Sequence, residues 1–199
     1  MSDVERFDRW AATYERSYMQ RLIFEPVHRT MLAVAAGERP DAGAILDVGC
    51  GTGRLLRSAS IAFPRARLEG VDAAAEMVKV AQAMAPAFSF QVASAEKLPF
   101  RDRSFDLVFS SMTFHHWADQ RAGVAEVARV LTPSGRWLLA DFVAAGFMKY
   151  VRRLFRLRKF PDRAVLDPML AGAGLGVLAQ RRVHGVGSQV PVLVIGRPR

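Results

Sequence analysis

The stretch Ile45-Leu46-Asp47-Val48-Gly49-Cys50-Gly51-Thr52-Gly53 decides how this chain of 199 residues folds. A mostly apolar strand runs directly into a loop that has glycine at every second position. Glycine allows a tight turn and the close approach of a ligand, and the free N–H groups at the start of a helix attract a carboxylate or a phosphate. The stretch therefore predicts a strand, a glycine turn and a helix, with an anionic ligand bound at the turn.

The spacing of these glycines argues against two common nucleotide-binding motifs. The dinucleotide motif G-x-G-x-x-G needs a third glycine at position 54, where this chain has Arg54. A phosphate-binding P-loop closes with Gly-Lys-Ser or Gly-Lys-Thr, and this loop contains no lysine. A nicotinamide cofactor and a P-loop nucleotide are therefore disfavoured.

An acidic residue ends the second predicted strand, in Gly70-Val71-Asp72. Asp72 comes 19 residues after Gly53, and a carboxylate at this distance can accept two hydrogen bonds from a ribose diol. An alternative role, which does not exclude the first, is to cap the helix predicted to begin near Ala75.

The chain around the loop alternates short apolar runs with helical periodicity. Two helices come first, one with apolar residues at positions 4, 7, 11, 14 and 18, and one from Glu25-Pro26 to just before Gly37. Strands are then predicted at residues 44–48, 67–71, 88–93, 105–109 and 136–141, with a stop at 132–135, and a hairpin of strands 176–183 and 189–196 ends the sheet. Helices are predicted at residues 52–62, 75–84, 121–131 and 163–171. Such apolar strands are typical of a parallel sheet with helices on both faces.

Length and composition narrow the class of protein. A chain of 199 residues can form one domain with a full core, so a single domain is expected. No apolar run is long enough to span a bilayer, and the first residues lack the pattern of a secretory signal, which favours a cytoplasmic protein. Cys50 is the only cysteine, so neither an internal disulfide nor a thiolate metal site is expected.

Positive charge is concentrated in one segment. The net charge is +9, and residues 148–163 carry +6 of it, from seven basic residues and one acid. Residues 147–160 can form an amphipathic helix, with Phe147, Val151, Leu154 and Phe155 on one side. Such a helix suits peripheral contact with an anionic membrane or a polyanionic substrate. The alternative is a solvated helix inserted after the fifth strand.

Six strings of sequence, taken in order, resemble one family. They are the loop stretch 45–53, Gly70-Val71-Asp72, Ala95-Glu96-Lys97-Leu98-Pro99-Phe100, Ser104-Phe105-Asp106-Leu107-Val108, Phe114-His115-His116 and Arg129-Val130-Leu131-Thr132-Pro133-Ser134-Gly135. Over residues 43–141 the chain closely resembles the class I S-adenosylmethionine-dependent methyltransferases, particularly the methyltransferase type 11 group that includes the ubiquinone and menaquinone C-methyltransferases.

The resemblance implies a fold and a division of the chain. The expected fold is α/β and Rossmann-like, with a seven-stranded, mostly parallel sheet, helices on both faces, a C-terminal antiparallel hairpin and an N-terminal helical lid. Residues 1–38 would form the lid, residues 43–141 the cofactor-binding core, and residues 147–163 a basic amphipathic insertion.

The resemblance also implies S-adenosyl-L-methionine as the cofactor, with S-adenosyl-L-homocysteine as the product. Asp47 would steady the loop and the amino group of the cofactor, and the loop residues would surround its methionine portion; these are Gly49, Cys50, Gly51, Thr52 and Gly53. Asp72 would hold the ribose, and Ser111 would approach the methionine end. The adenine would lie near Ala73, Met77, Ser94 and Ala95. The family usually has an aspartate or asparagine where this chain has Ser94, whose hydroxyl accepts a hydrogen bond less strongly.

Two histidines are the candidate catalytic residues. Methyl transfer from a sulfonium needs chiefly alignment of the acceptor and exclusion of water, but a phenol or enol acceptor is helped by a base. His115 and His116 follow the fourth strand, at the rim where ligands bind in such sheets. The alternative is that they pack against Phe114 or Trp117 and hold the loop.

An aromatic stripe on the first helix, Phe7, Trp10 and Tyr14, is interpreted as part of a lid over the cofactor or, alternatively, as ordinary core. Together with Phe114, Trp117 and Phe147 it indicates an apolar acceptor pocket.

The leading hypothesis is methylation of a small, apolar molecule such as a quinone, a lipid or a secondary metabolite. One alternative is RNA methylation through the basic residues 149–163. Nucleic acid is less favoured as a partner, because Ser110-Ser111-Met112-Thr113 lacks the Asn/Asp-Pro-Pro-aromatic string of DNA amino-methyltransferases. The other alternative is a cofactor-binding module without catalysis.

Overall fold

A computed structural model describes residues 3–14, 24–141, 163–183 and 190–198. Within these residues the strands are β1 Ala44–Val48, β2 Arg67–Asp72, β3 Ser89–Val92, β4 Phe105–Ser111, β5 Leu131–Ala140, β6 Gly176–Arg182 and β7 Pro191–Gly196. The helices are α1 Asp3–Tyr14, α2 Glu25–Glu38, α3 Arg54–Ala62, α4 Ala75–Met84, α5 Gln120–Val130 and α6 Arg163–Gly172, with a short 3-10 helix at Phe114–His116.

The strands form one sheet in the order β3-β2-β1-β4-β5-β7-β6. Neighbouring strands from β3 to β5 are parallel, and β7 runs antiparallel to both β5 and β6. The predicted mostly parallel, seven-stranded sheet with a C-terminal antiparallel hairpin is confirmed. The order reverses between β1 and β4, and in open α/β sheets ligands bind beside such a switch point, outside the carboxyl ends of the strands.

Helices cover both faces of the sheet, because successive strand residues point to opposite sides. Ile45 of β1 packs in one cluster with residues of α2, α3 and α4, such as Met31 and Leu56. The next residue, Leu46, packs in a second cluster with residues of α5 and α6, such as Val127 and Leu170. Both layers are fully buried at their centres.

The fifth strand begins earlier than the sequence predicts. The turn residues Thr132-Pro133-Ser134-Gly135 predict a stop before the strand, but β5 starts at Leu131. Leu131 pairs with Phe105 and Arg136 pairs with Leu107, so the intervening residues form an irregularity inside the strand. The expected stop is therefore wrong: the turn residues are accommodated as a bulge because both flanking residues find partners on β4.

The second helix also passes the glycine that was expected to end it. Gly37 lies within α2, which ends at Glu38, and the backbone N–H of Arg39 donates to the carbonyl of Ala35 at 2.8 Å. Gly37 is exposed, so its missing side chain leaves no gap in the core.

Helix α1 packs against α4 through Ala11, Ala74 and Met77. Trp10 and Tyr14 belong to α1, but their side chains lie outside what the structure describes. Residues 142–162, which contain nearly all of the predicted basic insertion, and residues 184–189, at the turn of the predicted hairpin, also lie outside it. Among the described residues, no helix combines the length and apolar character needed to cross a membrane.

Candidate functional site

A cavity of about 220 Å³ opens at the carboxyl ends of the parallel strands. The loop after β1, the end of β2, the turn after β3 and the segment after β4 all contribute to its wall, and α1 covers one side through Val4 and Phe7. Nine of the predicted cofactor-binding and catalytic residues line this one cavity: Gly49, Gly51, Asp72, Ala73, Met77, Ser94, Ala95, Ser111 and His116.

The glycine loop is built on hydrogen bonds to β2. The N–H groups of Gly49 and Cys50 both donate to the carbonyl of Val71, at 2.8 and 2.9 Å. Gly49 has a φ of +77°, and a Cβ added there would lie 2.1 Å from Oγ1 of Thr113. Thr113 therefore packs directly on the backbone of the loop, and only glycine leaves room for it.

Gly51 is the loop residue that faces open space. Its φ is +53°, and a Cβ added there would meet no atom within 4 Å. Gly53 differs: a Cβ there would lie 2.8 Å from the ring of Phe90, and the residue is the N-cap of α3. Gly53 lines neither cavity at this edge. Its role in the structure is the close packing of α3 beside β3.

Asp72 links the loop to the end of β2. Its Oδ2 accepts a hydrogen bond from the N–H of Gly51 at 2.8 Å, and its Oδ1 accepts one from the N–H of Ala74 at 2.9 Å. Burial raises the pKa of this carboxyl, while the backbone N–H groups oppose the rise. The N-cap of α4 is Ala74, so the alternative role of Asp72 as the helix cap is wrong.

Asp47 is the most deeply buried acid of the site. Its side chain is on β1, with 2% of the residue exposed, and its Oδ1 has no hydrogen-bond partner among the described residues. Burial, and secondarily the charge of Asp72, raise the pKa of Asp47 to about 8. A buried carboxylate oxygen without a partner is costly, so this atom marks a place where a donor from a ligand would bind.

A smaller cavity of about 40 Å³ continues from the loop towards α2. It is lined by Asp47, Cys50, Thr52 and Ser111, and also by His28 and Arg54. The Oγ of Ser111 is buried and, among the described residues, has no hydrogen-bond partner. The sequence predicts no ligand role for His28 or Arg54, because neither of them is among the glycines and acidic residues of the loop motif.

Cys50 is buried, and its Sγ lies 3.7 Å from the carbonyl oxygen of Gly51. A Cβ added to Gly70 would lie 2.9 Å from this sulfur, so Gly70 makes room for Cys50. Burial raises the pKa of the thiol well above its ordinary value. The thiol of Cys50 is therefore neutral rather than nucleophilic, at a residue that lines the smaller cavity.

The other side of the cavity is more apolar. Met77 is 2% exposed and Ala95 8% exposed, and both line the wall with Ala73. Ser94 is exposed at the cavity edge, and Glu96, for which the sequence predicts no role, also lines the cavity. A flat apolar ring with a polar edge fits this surface, since apolar walls with a few polar groups are typical of ligand pockets.

The two candidate histidines occupy different positions. His116 lines the cavity and contacts Phe7 of α1, with ring centroids 5.0 Å apart. His115 does not line it; its Nδ1 lies 2.8 Å from Oδ1 of Asp141, and its backbone N–H donates to Oδ2 of Asp141 at 3.0 Å. Asp141 had no assigned role, although its place at the carboxyl end of β5 is a signal that could have found it.

The backbone is strained in the segment between the end of β4 and the two histidines. Met112, directly after Ser111, has a φ of +57°, which is uncommon for a residue with a side chain. Its N–H donates to the carbonyl of Ala140 at 2.7 Å, which holds it beside the end of β5. Among the described residues, no cluster of histidine, cysteine or acidic side chains could hold a metal ion.

Comparison with known proteins finds a family model and relatives that are similar to the core of the chain. Residues 46–139 match the family model described as "Methyltransferase domain". The chain is 41% identical over 124 residues to the uncharacterized methyltransferase YcgJ of Bacillus subtilis, covering 57% of this chain and 47% of that protein. It is 35% identical over 135 residues to the demethylmenaquinone methyltransferase of Deinococcus radiodurans, covering 65% of this chain and 56% of that protein. The chain thus spans about half the length of these curated relatives.

A solved structure shows the same fold. A SAM-dependent methyltransferase from Aquifex aeolicus aligns with a TM-score of 0.70 and 18% identity, over 98% of each chain. The family match covers the strands and loops that build the cavity, from β1 to β5. Residues 46–139 of this chain are therefore similar to the methyltransferase-domain family, and the fold is the one found in a SAM-dependent methyltransferase of known structure.

Proposed function

We propose that this protein transfers a methyl group from S-adenosylmethionine to a small, apolar acceptor. The observation that carries the proposal is a pair of buried oxygens, Oδ1 of Asp47 and Oγ of Ser111, that have no hydrogen-bond partner among the described residues. Both residues line the same small cavity as Gly51, whose backbone is open to a ligand. These groups suit a ligand in which an amino acid is joined to a nucleoside. The two oxygens can accept hydrogen bonds from the ammonium group of the amino acid, and the backbone beside them is open to the rest of the ligand.

The donor set suits each part of such a cofactor. Asp47 would accept from its ammonium group, and the N-terminus of α3, which begins at Arg54, would attract its carboxylate. Both oxygens of Asp72 accept backbone hydrogen bonds, and a carboxylate has about four lone-pair sites in all, which leaves capacity to accept from a ribose hydroxyl. Met77, Ala73 and Ala95 would enclose the adenine, with Ser94 at its edge.

When bound, the cofactor supplies an activated methyl group on a positively charged sulfur. The protein then has to hold the acceptor in line with that methyl group and keep water out. Phe7 and Trp117 contribute apolar wall to the larger cavity, which Met112 and His116 also line, whereas Asp47 lines the smaller cavity. This wall favours an apolar, ring-shaped acceptor over a sugar or a peptide.

His116 is the candidate base for an acceptor that carries a hydroxyl group. It is the histidine that lines the cavity, and a neutral imidazole within hydrogen-bond reach can take the proton of a phenol or an enol. The relative named demethylmenaquinone methyltransferase supports a quinol acceptor. The basic residues 149–163 support an acceptor dissolved in, or bound to, an anionic membrane, on charge alone.

Two experiments test the proposal. Calorimetry with S-adenosylhomocysteine should show that Asp72→Ala binds at least tenfold more weakly than the wild type. Asp106→Ala is a matched control, because the carboxylate of Asp106 also accepts two backbone hydrogen bonds, from Gly43 and Ala44, yet lines neither cavity. This control should lower the melting temperature without weakening binding; equal loss of affinity in both variants would remove Asp72 from the ribose site.

The second experiment identifies the acceptor. The protein is incubated with methyl-labelled S-adenosylmethionine and a cell extract that is then partitioned into lipid, RNA and polar fractions. We expect label in the lipid fraction. Label in RNA would instead support a nucleic-acid acceptor, and tight cofactor binding with no labelled fraction would support a binding module without catalysis.

A further inference from the structure

Asp141 stands at the end of β5 and is almost completely buried. Only 2% of the residue is exposed, and its two carboxylate oxygens both contact His115, one at the backbone N–H and one at Nδ1. Two contacts between the same pair of residues fix the direction of the imidazole ring as well as its position. A carboxylate accepts hydrogen bonds, so Nδ1 of His115 carries the proton in this pair.

The ring that Asp141 fixes is packed against the ring that lines the cavity. The centroids of His115 and His116 are 3.9 Å apart, with the two planes tilted by 47°. Phe7 contacts His116 edge-on, with an interplanar angle of 81°. The orientation of His116 at the cavity wall is therefore limited by His115 and by the N-terminal helix.

From these contacts we propose that Asp141 is a positioning residue for His116, acting through His115 and touching neither the cofactor nor the acceptor. This inference rests on the proposed function, in which His116 meets the acceptor, and it goes further by assigning a division of labour. His116 contacts the acceptor, His115 sets the angle of the His116 ring, and Asp141 sets the tautomer and direction of His115. Asp141 lines neither cavity at the strand edge.

The negative charge of Asp141 determines the tautomer of His115, because a carboxylate can only accept a hydrogen bond and cannot donate one. An asparagine of the same size can turn its amide and donate to Nδ1, which would place the proton of His115 on Nε2. The Asp141→Asn variant therefore changes the tautomer while it keeps the volume of the buried side chain. A wrong tautomer in a catalytic histidine system is known to reduce turnover strongly even when the geometry is intact.

The first test reads the histidine tautomers by nitrogen-15 NMR of the imidazole rings and does not depend on any acceptor. In the wild type, His115 should be the tautomer protonated at Nδ1. In Asp141→Asn, the signals of His115 should change to the other tautomer, and those of His116 should move as well. A wild-type His115 protonated at Nε2, or a His116 whose signals do not move in the variant, would overturn the positioning role.

The second test separates positioning from a merely structural effect. With a naphthohydroquinone unsubstituted at carbon 2 as the probe, kcat of Asp141→Asn should fall by about tenfold or more. A general base contributes a larger rate enhancement than this, and the variant should lose only part of it. Binding of S-adenosylhomocysteine should stay within about twofold of the wild type. Affinity lost in proportion to kcat would mean that Asp141 only supports the cofactor site, and would contradict the inference.

A matched control removes the same charge elsewhere. Asp41, whose side chain is 77% exposed, lies outside both cavities, and Asp41→Asn should leave turnover and the histidine signals unchanged. If the wild type does not methylate the probe, the quinol acceptor of the proposed function is wrong. The NMR result on the wild type and on Asp141→Asn still decides whether Asp141 positions the two rings.

Discussion

The carboxylate of Asp8 accepts a hydrogen bond from the backbone N–H of Glu76 at 3.0 Å, which ties α1 to the first turn of α4. Ala74, the N-cap of α4, has no side-chain acceptor to offer, so Asp8 supplies one from another helix. The same helix places Phe7 against His116 and buries Ala11 beside Met77. This hydrogen bond and these two contacts therefore help to hold the helix that covers the cavity.

We predict that Asp8→Ala loosens this cover. A lost capping interaction costs about 1 kcal/mol, which corresponds to a factor of about five in an equilibrium constant. Dissociation of S-adenosylhomocysteine, measured by stopped-flow fluorescence, should become about fivefold faster. Arg9→Ala, an exposed change on the same helix, is the control, and an equal effect in both variants would argue against the lid.

The glycines of the loop should respond differently to alanine. Gly49→Ala places a methyl group against Thr113, and we expect it to destabilise the fold by more than about 2 kcal/mol. Gly51→Ala meets no protein atom, so its cost should be limited to about 1–2 kcal/mol for the left-handed backbone, while cofactor binding weakens at least tenfold.

Urea unfolding and calorimetry on the two variants check this prediction. Gly37→Ala is the control, because a Cβ there also meets nothing within 4 Å, but Gly37 lies in the last turn of α2, away from both cavities. It should stabilise the protein by up to about 1 kcal/mol and leave binding unchanged. Normal binding by Gly51→Ala would show that no ligand approaches this residue.

The raised pKa of Asp47 predicts a pH dependence of stability. The folded protein binds this proton more tightly than the unfolded chain, since the pKa rises from 3.8 to about 8 on folding. The resulting stabilisation is complete below pH 4 and is lost as the pH rises towards 8. The amide side chain introduced by Asp47→Asn does not titrate. The urea midpoint of this variant should therefore rise relative to that of the wild type between pH 5 and pH 8. A constant difference between the two proteins would contradict the shift.

Ligand binding should release a proton from the same residue. At pH 7 the carboxyl of Asp47 is mostly protonated, because its pKa is about 8. An ammonium group placed beside Oδ1 favours the charged carboxylate, so binding of S-adenosylhomocysteine should expel the proton. The calorimetric enthalpy should then differ between phosphate and Tris buffers by their ionisation enthalpies. In Asp47→Asn this difference should disappear; if it persists, the proton comes from another group.

Much of the fold could be predicted because it depends on local patterns. The apolar runs and the turn residues between them place β1 and α4 at their observed residues, Ala44–Val48 and Ala75–Met84. The expected stop before the fifth strand failed for a physical reason that is not local. Whether Thr132-Pro133-Ser134-Gly135 ends a strand or bulges from it depends on whether Leu131 finds a partner, and that partner, Phe105, is distant in the sequence.

The loop motif, the acid after the second strand and the histidine pair are properties of the sequence by itself, because short strings determine them. Which of these residues share a cavity was decided by the sheet, which brings the carboxyl ends of its parallel strands to one edge. Gly53 packs on Phe90 of β3, His28 of α2 lines the smaller cavity together with Asp47, and Asp141, which follows β5, contacts His115. These contacts join residues far apart in the chain, and only the tertiary structure sets such distances.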